Sequence, residues 1–294
     1  MPLHALQVLA GQARAAVHLA DNLELLARLP DQSVDLIYVD PPFNTGKLQK
    51  REQLRTTQAD DGDRVGFGGK TYKTEHLGSL QYDDRFDDYL AFLRPRLTHA
   101  LRVLKPSGSL YLHIDYREVH YVKILLDQIF GRERFMNEII WAYDYGGRPR
   151  DRWPAKHDNI LFYAKQPGAH VWNRDAIDRI PYMAPGLVGA EKAARGKLPT
   201  DTWWHTIVSP TGKEKLGYPT QKPLGILRRI VVASSPPDGV VLDFFAGSGT
   251  TGAAALAEGR RAILVDNHLP AYQIMQKRFA ADSGVVFQAA LGGS

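Results

Sequence analysis

The chain has 294 residues, 44% of them hydrophobic, a formal net charge of +5 and no cysteine. That length buries a full core and suits one large α/β domain, or one domain carrying an insertion. The missing cysteines exclude disulfides, cysteine-ligated zinc and a thiol nucleophile; no apolar run approaches the ~20 residues of a membrane span and no signal pattern opens the chain, so a cytoplasmic protein is expected.

Ala13–Leu19 reads as a short strand. Asp21 or Asn22 can cap a helix over Leu23–Leu29, where leucines recur at helical spacing. The apolar run Val34–Val39 then reads as a buried strand that ends in Asp40-Pro41-Pro42-Phe43. Residues 44–80 are polar and Gly-rich with little periodicity, and predict a mobile loop directly after that tetrapeptide. Lys47, Lys50, Arg51 and Arg55 in it suit phosphates.

A helical pattern over Arg85–Leu104 stops at Lys105-Pro106-Ser107-Gly108, before a strand at Ser109–Ile114 and a helix at Arg117–Phe130. Strands are expected at Phe135–Tyr143 and Asn159–Ala164. Residues 144–217 read as an insertion within the domain. Residues 145–217 carry twelve Lys/Arg against seven acids, and hold Trp153, Trp172, Trp203 and Trp204, four of the five tryptophans. Basic residues interleaved with aromatics suggest a nucleic-acid surface, with Arg148, Arg150, Arg152 and Lys156 as its candidates.

From residue 223 strands and helices alternate again: helix Pro223–Ser235, strand Val240–Phe245, helix Thr250–Glu258, strand Arg261–Asp266, helix Pro270–Ala280 and a last strand at Gly284–Gln288. Alternation of this kind implies an α/β fold, a doubly wound and mostly parallel sheet. Residues 1–143 and 218–294 would form the catalytic domain.

Three stretches carry the chemistry. Two successive prolines after Asp40 remove two backbone donors and leave carbonyls free to accept. With the Asp40 carboxylate and the Phe43 ring they suit a flat ligand bearing an NH₂ group, such as a nucleobase. Gly247, Gly249 and Gly252 match G-x-G-x-x-G between a strand and a helix, and Asp266 ends the next strand, so a nicotinamide dinucleotide is a competing reading. Asp243 opposes a pyrophosphate there and favours a cation. S-adenosylmethionine offers an ammonium, a sulfonium and a ribose, with no phosphate; Asp243 suits its amino-acid part and Asp266 its ribose. Thr220 and Lys222, in Thr220-Gln221-Lys222-Pro223, could bind a carboxylate near a helix N-terminus.

Together, Asp-Pro-Pro-Phe-Asn-Thr-Gly (40–46), Thr-Gln-Lys-Pro (220–223) and Asp-Phe-Phe-Ala-Gly-Ser-Gly-Thr-Thr (243–251) resemble the amino-DNA methyltransferases, in the motif order of their beta group. Ser33–Ile37 and Leu104–Ser109 extend the resemblance. Phe244 departs from the proline usual in the cofactor loop, and Ala20 from the glycine that precedes the acid at Asp21. The resemblance implies a Rossmann-like fold and methyl transfer from S-adenosylmethionine to adenine N6 in double-stranded DNA, with N4 of cytosine as the alternative. Adenine is favoured because Asp opens the tetrapeptide. It also implies base flipping and direct in-line transfer. Asp40 and the Pro41 carbonyl would orient the amine, with Pro42 and Phe43 shaping a stacking face. Asp243, Phe245, Gly247, Ser248, Gly249, Thr250, Asp266, Thr220 and Lys222 would hold the cofactor. No metal is called for; a homodimer and a separate restriction nuclease are the further partners it allows.

Overall fold

The computed structural model describes residues 3–44, 47–58, 64–65, 71–84, 86–209, 212 and 214–289. They fall into two compact units, one made of residues 1–43 and 88–294 and the other of residues 44–87.

In the larger unit the chain runs α1 (Leu3–Leu9), β1 (Ala15–Leu19), α2 (Asn22–Arg28) and β2 (Val34–Val39). The smaller unit contributes β3 (Lys47–Gln58), β4 (Arg64–Val65) and β5 (Thr71–Asp84). The larger resumes with α3 (Tyr89–Val103), β6 (Leu104–Ile114), α4 (Val119–Phe130), β7 (Phe135–Ala142), β8 (His157–Ala164), α5 (Ala190–Arg195) and β9 (Thr202–Trp204). It closes with α6 (Leu224–Ser234), β10 (Val240–Asp243), α7 (Thr250–Ala257), β11 (Arg261–Asp266), α8 (Leu269–Arg278) and β12 (Val285–Gln288).

Nine strands form one sheet in the order β12-β1-β11-β10-β2-β6-β8-β7-β9. The first six are mutually parallel, β8 runs against both β6 and β7, and β9 lies parallel to β7. Every residue of β2 is buried, as a central parallel strand covered on both faces requires. Leu36 and Tyr38 share a core with Ile226 and Ile230 of α6, Ala254 of α7 and Met275 of α8. Ile37 and Val39 alternate to the opposite face, the side of α2, α3 and α4 with their buried Leu25, Leu97 and Leu126.

The one charge inside β2 explains two motif segments. Asp35 is buried; its carboxylate takes both oxygens to the Lys105 ammonium at 2.9 and 2.8 Å, and also accepts the Val240 N–H at 2.8 Å. Ser33–Ile37 and Leu104–Ser109 are therefore paired by structure, tying β2, β6 and β10 together at the edge remote from Asp40. Asp35→Ala is expected to cost about 2 kcal/mol, because it strands the Val240 N–H. A urea titration should show a lower midpoint at unchanged slope.

The smaller unit corrects an expectation. Residues 44–80 were predicted to be irregular, but the described ones form an antiparallel ladder, with Lys47 opposite Asp84 and Gln58 opposite Tyr72, and β4 added along β5. Its strands are rich in Lys, Gln, Thr and Glu, so no apolar alternation announces them. Thr45, Gly46 and the glycine-rich stretch 66–70 lie outside the described residues, as do the side chains of Lys47, Lys50, Arg51 and Arg55. Elsewhere α1 and β9 were not foreseen, and β6 starts at Leu104, so Lys105–Gly108 is strand and not a turn. Residues 144–217 belong to the larger unit.

Candidate active site

Connections from β2 and β10, which are neighbours, leave in opposite directions: β2 leads through α3 to β6, and β10 through α7 to β11 on its other side. Such a switch point opens a crevice at the carboxyl ends of the strands. Asp40 follows β2, Asp243 ends β10 and Asp266 ends β11. Three carboxylates thus line one edge.

Asp40 is the least satisfied of the three. Its Oδ2 accepts from the Lys222 ammonium at 2.5 Å, while its Oδ1 is buried with no hydrogen-bond partner among the described residues. Lys222 also lies 5.0 Å over the Phe43 ring centroid. Sequence placed Lys222 with the cofactor; the structure places its ammonium on Asp40 and Phe43 instead. The Pro42 carbonyl accepts from the Tyr89 hydroxyl at 2.6 Å. The Pro41 carbonyl takes no hydrogen bond from a described residue.

Asp243 and Asp266 are committed to the glycine loop. Asp243 accepts from the Phe245 N–H at 3.0 Å and the Thr251 hydroxyl at 2.6 Å; Asp266 accepts from the N–H groups of Gly247 at 2.8 Å and His268 at 2.9 Å. Burial pushes the Asp243 carboxyl up, the Thr251 and Phe245 bonds pull it down, and the charges of Asp40 and Asp266 push it up again, to about 7. Burial likewise raises Asp266, against the bonds from His268 and Gly247. An edge that raises its own carboxyls is one that a cation would relieve.

The loop is shaped for close approach. Gly247 and Gly249 adopt φ of +50° and +73°. A Cβ on Gly247 would stand 3.0 Å from Cε1 of buried Tyr218, and one on Gly252 would stand 2.4 Å from Leu264 of β11. The Tyr218–Pro223 segment therefore links the other two motifs, with Tyr218 against the loop and Lys222 against Asp40. Ser248 and Thr250 are buried and hydrogen-bond each other at 3.1 Å. Thr220 is exposed. Phe245 packs 6.0 Å from Phe92.

Sequence reasoning offered Asn22 only as a possible helix cap, a place that Asp21 takes. Asn22 is buried at the start of α2, donates to the Phe244 carbonyl at 2.7 Å and accepts from Arg96 at 2.7 Å, so it steadies the loop from behind. A polar residue just inside a helix start was the available signal. Sequence reasoning passed over His113, a lone polar residue in the apolar run of β6.

The loop 143–156 leaves the carboxyl end of β7, which runs parallel to β2, so it opens at the same edge as Asp40. Arg148 pairs with Asp144 and Arg152 with Asp151, all four exposed, and Arg150 is exposed without a partner among the described residues. Lys156 departs from expectation. Its ammonium donates to the carbonyls of Tyr145, Gly146 and Gly147 at 2.8, 2.7 and 3.1 Å, so it holds the loop's shape. Trp153 stands 95% exposed beside these arginines, whereas Trp203 is buried under Arg229.

Among the described residues no helix is long and apolar enough to cross a membrane. The sequence model of a family described as DNA methylase, covering N6 and N4 methyltransferases, matches residues 34–277. DNA adenine methyltransferase YhdJ of Escherichia coli K12 is 30% identical over 268 residues, which cover 87% of this chain and 79% of the relative. Among solved structures, a putative DNA modification methylase of Thermus thermophilus complexed with S-adenosylmethionine aligns with a TM-score of 0.57 at 21% identity, covering 95% of this chain and 99% of that one. PvuII DNA methyltransferase, cytosine-N4-specific, aligns with a TM-score of 0.59 at 16% identity, covering 94% and 95%. These two share the fold. The nicotinamide reading of the glycine loop falls with the family match, and the chain belongs to the amino-DNA methyltransferases, enzymes that move a methyl group from S-adenosylmethionine to the exocyclic amine of adenine or cytosine in DNA.

Proposed function

We propose that this protein methylates N6 of adenine in duplex DNA, taking the base out of the helix into the pocket of Asp40, Pro41, Pro42 and Phe43. The observation that carries the reading is the buried Oδ1 of Asp40, without a partner among the described residues. A buried acceptor without a donor is costly, and an exocyclic NH₂ supplies the donor. The Pro41 carbonyl would take the second N–H. With both protons held, the nitrogen lone pair has one direction left. The Phe43 ring is the stacking face, and an amine inside a duplex reaches it only by extrusion.

The site suits S-adenosylmethionine. Its positive charge answers Asp243, and its ribose suits Asp266, which has lone pairs left after two N–H bonds. The backbone of residues 245–249 and Asp266 would hold it, with Asp243 supplying charge from below. When bound, it offers an electrophilic methyl group that the nitrogen takes directly, with no covalent attachment to the protein. The chain's own part is positioning and electrostatics.

Adenine is preferred over cytosine because Asp opens the tetrapeptide, as in the adenine enzymes the motif resembles; the Escherichia coli relative carries an adenine name. N4 methylation of cytosine would use the same arrangement. Phe43→Ala is expected to lower kcat/KM for duplex DNA by about 10–100-fold, the range of one lost base–aromatic stack. Unchanged kcat/KM would remove the base from this pocket.

The 143–156 loop is assigned to the DNA backbone through Arg148, Arg150 and Arg152. Exposed pairs such as Arg148–Asp144 are weak and exchange readily for phosphate. Replacing Arg150 and Arg152 together by Glu should weaken DNA binding and flatten its salt dependence, by about one unit of slope for each phosphate no longer neutralised. An unaltered slope would move the DNA track elsewhere.

A further inference from the structure

Behind Phe43 lies a buried polar chain that the roles above leave unused. His113 of β6 is fully buried. Its Nδ1 lies 2.7 Å from the Tyr38 hydroxyl and its Nε2 3.1 Å from Oδ2 of Asp158; the other Asp158 oxygen accepts from the Tyr143 hydroxyl at 3.0 Å. The His113 ring sits 5.9 Å from the Phe43 ring with the planes inclined by 33°, and meets Trp141 edge-on at 5.5 Å and 85°.

The two bonds to Asp158 have a fixed polarity. Burial raises the Asp158 carboxyl, but the bond and charge of His113, the charge of Lys222 and the Tyr143 bond outweigh it, and the net displacement is downward. An ionised Asp158 only accepts, so Nε2 carries the proton and donates. Burial, then the charges of Asp40, Asp243 and Asp158, hold Tyr38 well above its ordinary value. Tyr38 therefore keeps its proton, and its hydroxyl and Nδ1 satisfy each other in the buried network.

A packing role alone does not account for this chain. A phenyl ring would fill the same volume without burying a carboxylate, and buried ionic groups are often no more stable than apolar replacements. What the network adds is orientation. His113 in its middle lies against Phe43, and the Tyr38 hydroxyl at one end feels the charges of Asp40 and Asp243.

We infer that His113, oriented by Asp158, is a positioning residue for methyl transfer: it fixes the plane of Phe43, and so the attitude of the target base. This rests on the proposed reading of the pocket. His113 touches neither base nor cofactor.

The test uses duplexes carrying the site that the wild-type protein methylates, mapped from its own product. Single-turnover methylation, cofactor affinity by calorimetry and melting temperature are read together. His113→Phe, which keeps the volume and loses both bonds, should slow methylation by about 10–100-fold with cofactor affinity unchanged. His113→Asn retains an acceptor near Nδ1 for Tyr38, and His113→Gln a donor that reaches toward Asp158; one of them should recover part of the rate. Asp158→Asn should slow the step in the same way, which keeps the inference testable if His113→Phe does not fold. Wild-type rates in His113→Phe or Asp158→Asn, or a loss that follows cofactor affinity or melting temperature, would overturn it. A wild-type protein that methylates no DNA overturns the reading of the pocket, and this inference with it; active wild type with insensitive variants overturns this inference alone.

Discussion

Asp40→Ala is expected to lower the single-turnover rate by about 10²–10³-fold, the usual cost of removing one preorganised electrostatic group, while cofactor affinity stays within about threefold. In the proposed reading Asp40 meets the target through Oδ1, which has no partner among the described residues; Lys222 anchors its Oδ2 at 2.5 Å. Alanine removes the acceptor and leaves the Lys222 ammonium beside Phe43, where its cation–π contact remains. Asp40→Asn should fare little better. Its carboxamide can offer one oxygen, either to Lys222 or to the amine, and its NH₂ then faces the other donor. Rapid-quench methylation and calorimetric titration of the cofactor separate the two effects. Equal loss of rate and of cofactor affinity would place Asp40 in cofactor binding and not in transfer.

Cofactor affinity is expected to rise from pH 6 to pH 8, and Asp243 is the reason. Its carboxyl is raised to about 7 by burial, with repulsion from Asp40 and Asp266 adding to it against the Thr251 and Phe245 bonds. For a group raised on folding, the stabilisation present below its unfolded value near 4 is lost as pH climbs through the folded value. The ligand-free protein should therefore be less stable at pH 8 than at pH 6. A cationic ligand favours the ionised carboxylate, so binding expels a proton in this window, and affinity climbs by at most about tenfold per pH unit. Calorimetry in buffers of different ionisation enthalpy counts that proton directly. Asp243→Asn should flatten the profile. An affinity that falls as pH rises would mean that the bound ligand presents no positive charge to Asp243.

The crevice was legible because local signals survive in the chain. Val34–Val39 is uniformly apolar except for Asp35, and the prolines end it at the edge where Asp40 stands. The glycine spacing of 247, 249 and 252 states a close approach, and Tyr218 and Leu264 are the groups that approach. Long-range pairs left no such mark. Lys222 lies 182 residues from Asp40, and nothing near it announces the ion pair. Strand β9 is three residues long and exists because Ile140–Ala142 of β7 offer a free edge. The β3–β5 ladder is held by backbone bonds between polar strands, whose sequence reads as loop. Lys156 carries the charge of a phosphate ligand, but three carbonyls of its own loop take that charge first.

The most direct measurement is the identity of the methylated nucleoside. Unmethylated genomic DNA incubated with the protein and isotopically labelled S-adenosylmethionine is digested to nucleosides and resolved by mass spectrometry. The account predicts label in N6-methyladenine. Label in N4-methylcytosine would contradict the choice of adenine while keeping Asp40 in its role. Label in neither would contradict the active site itself.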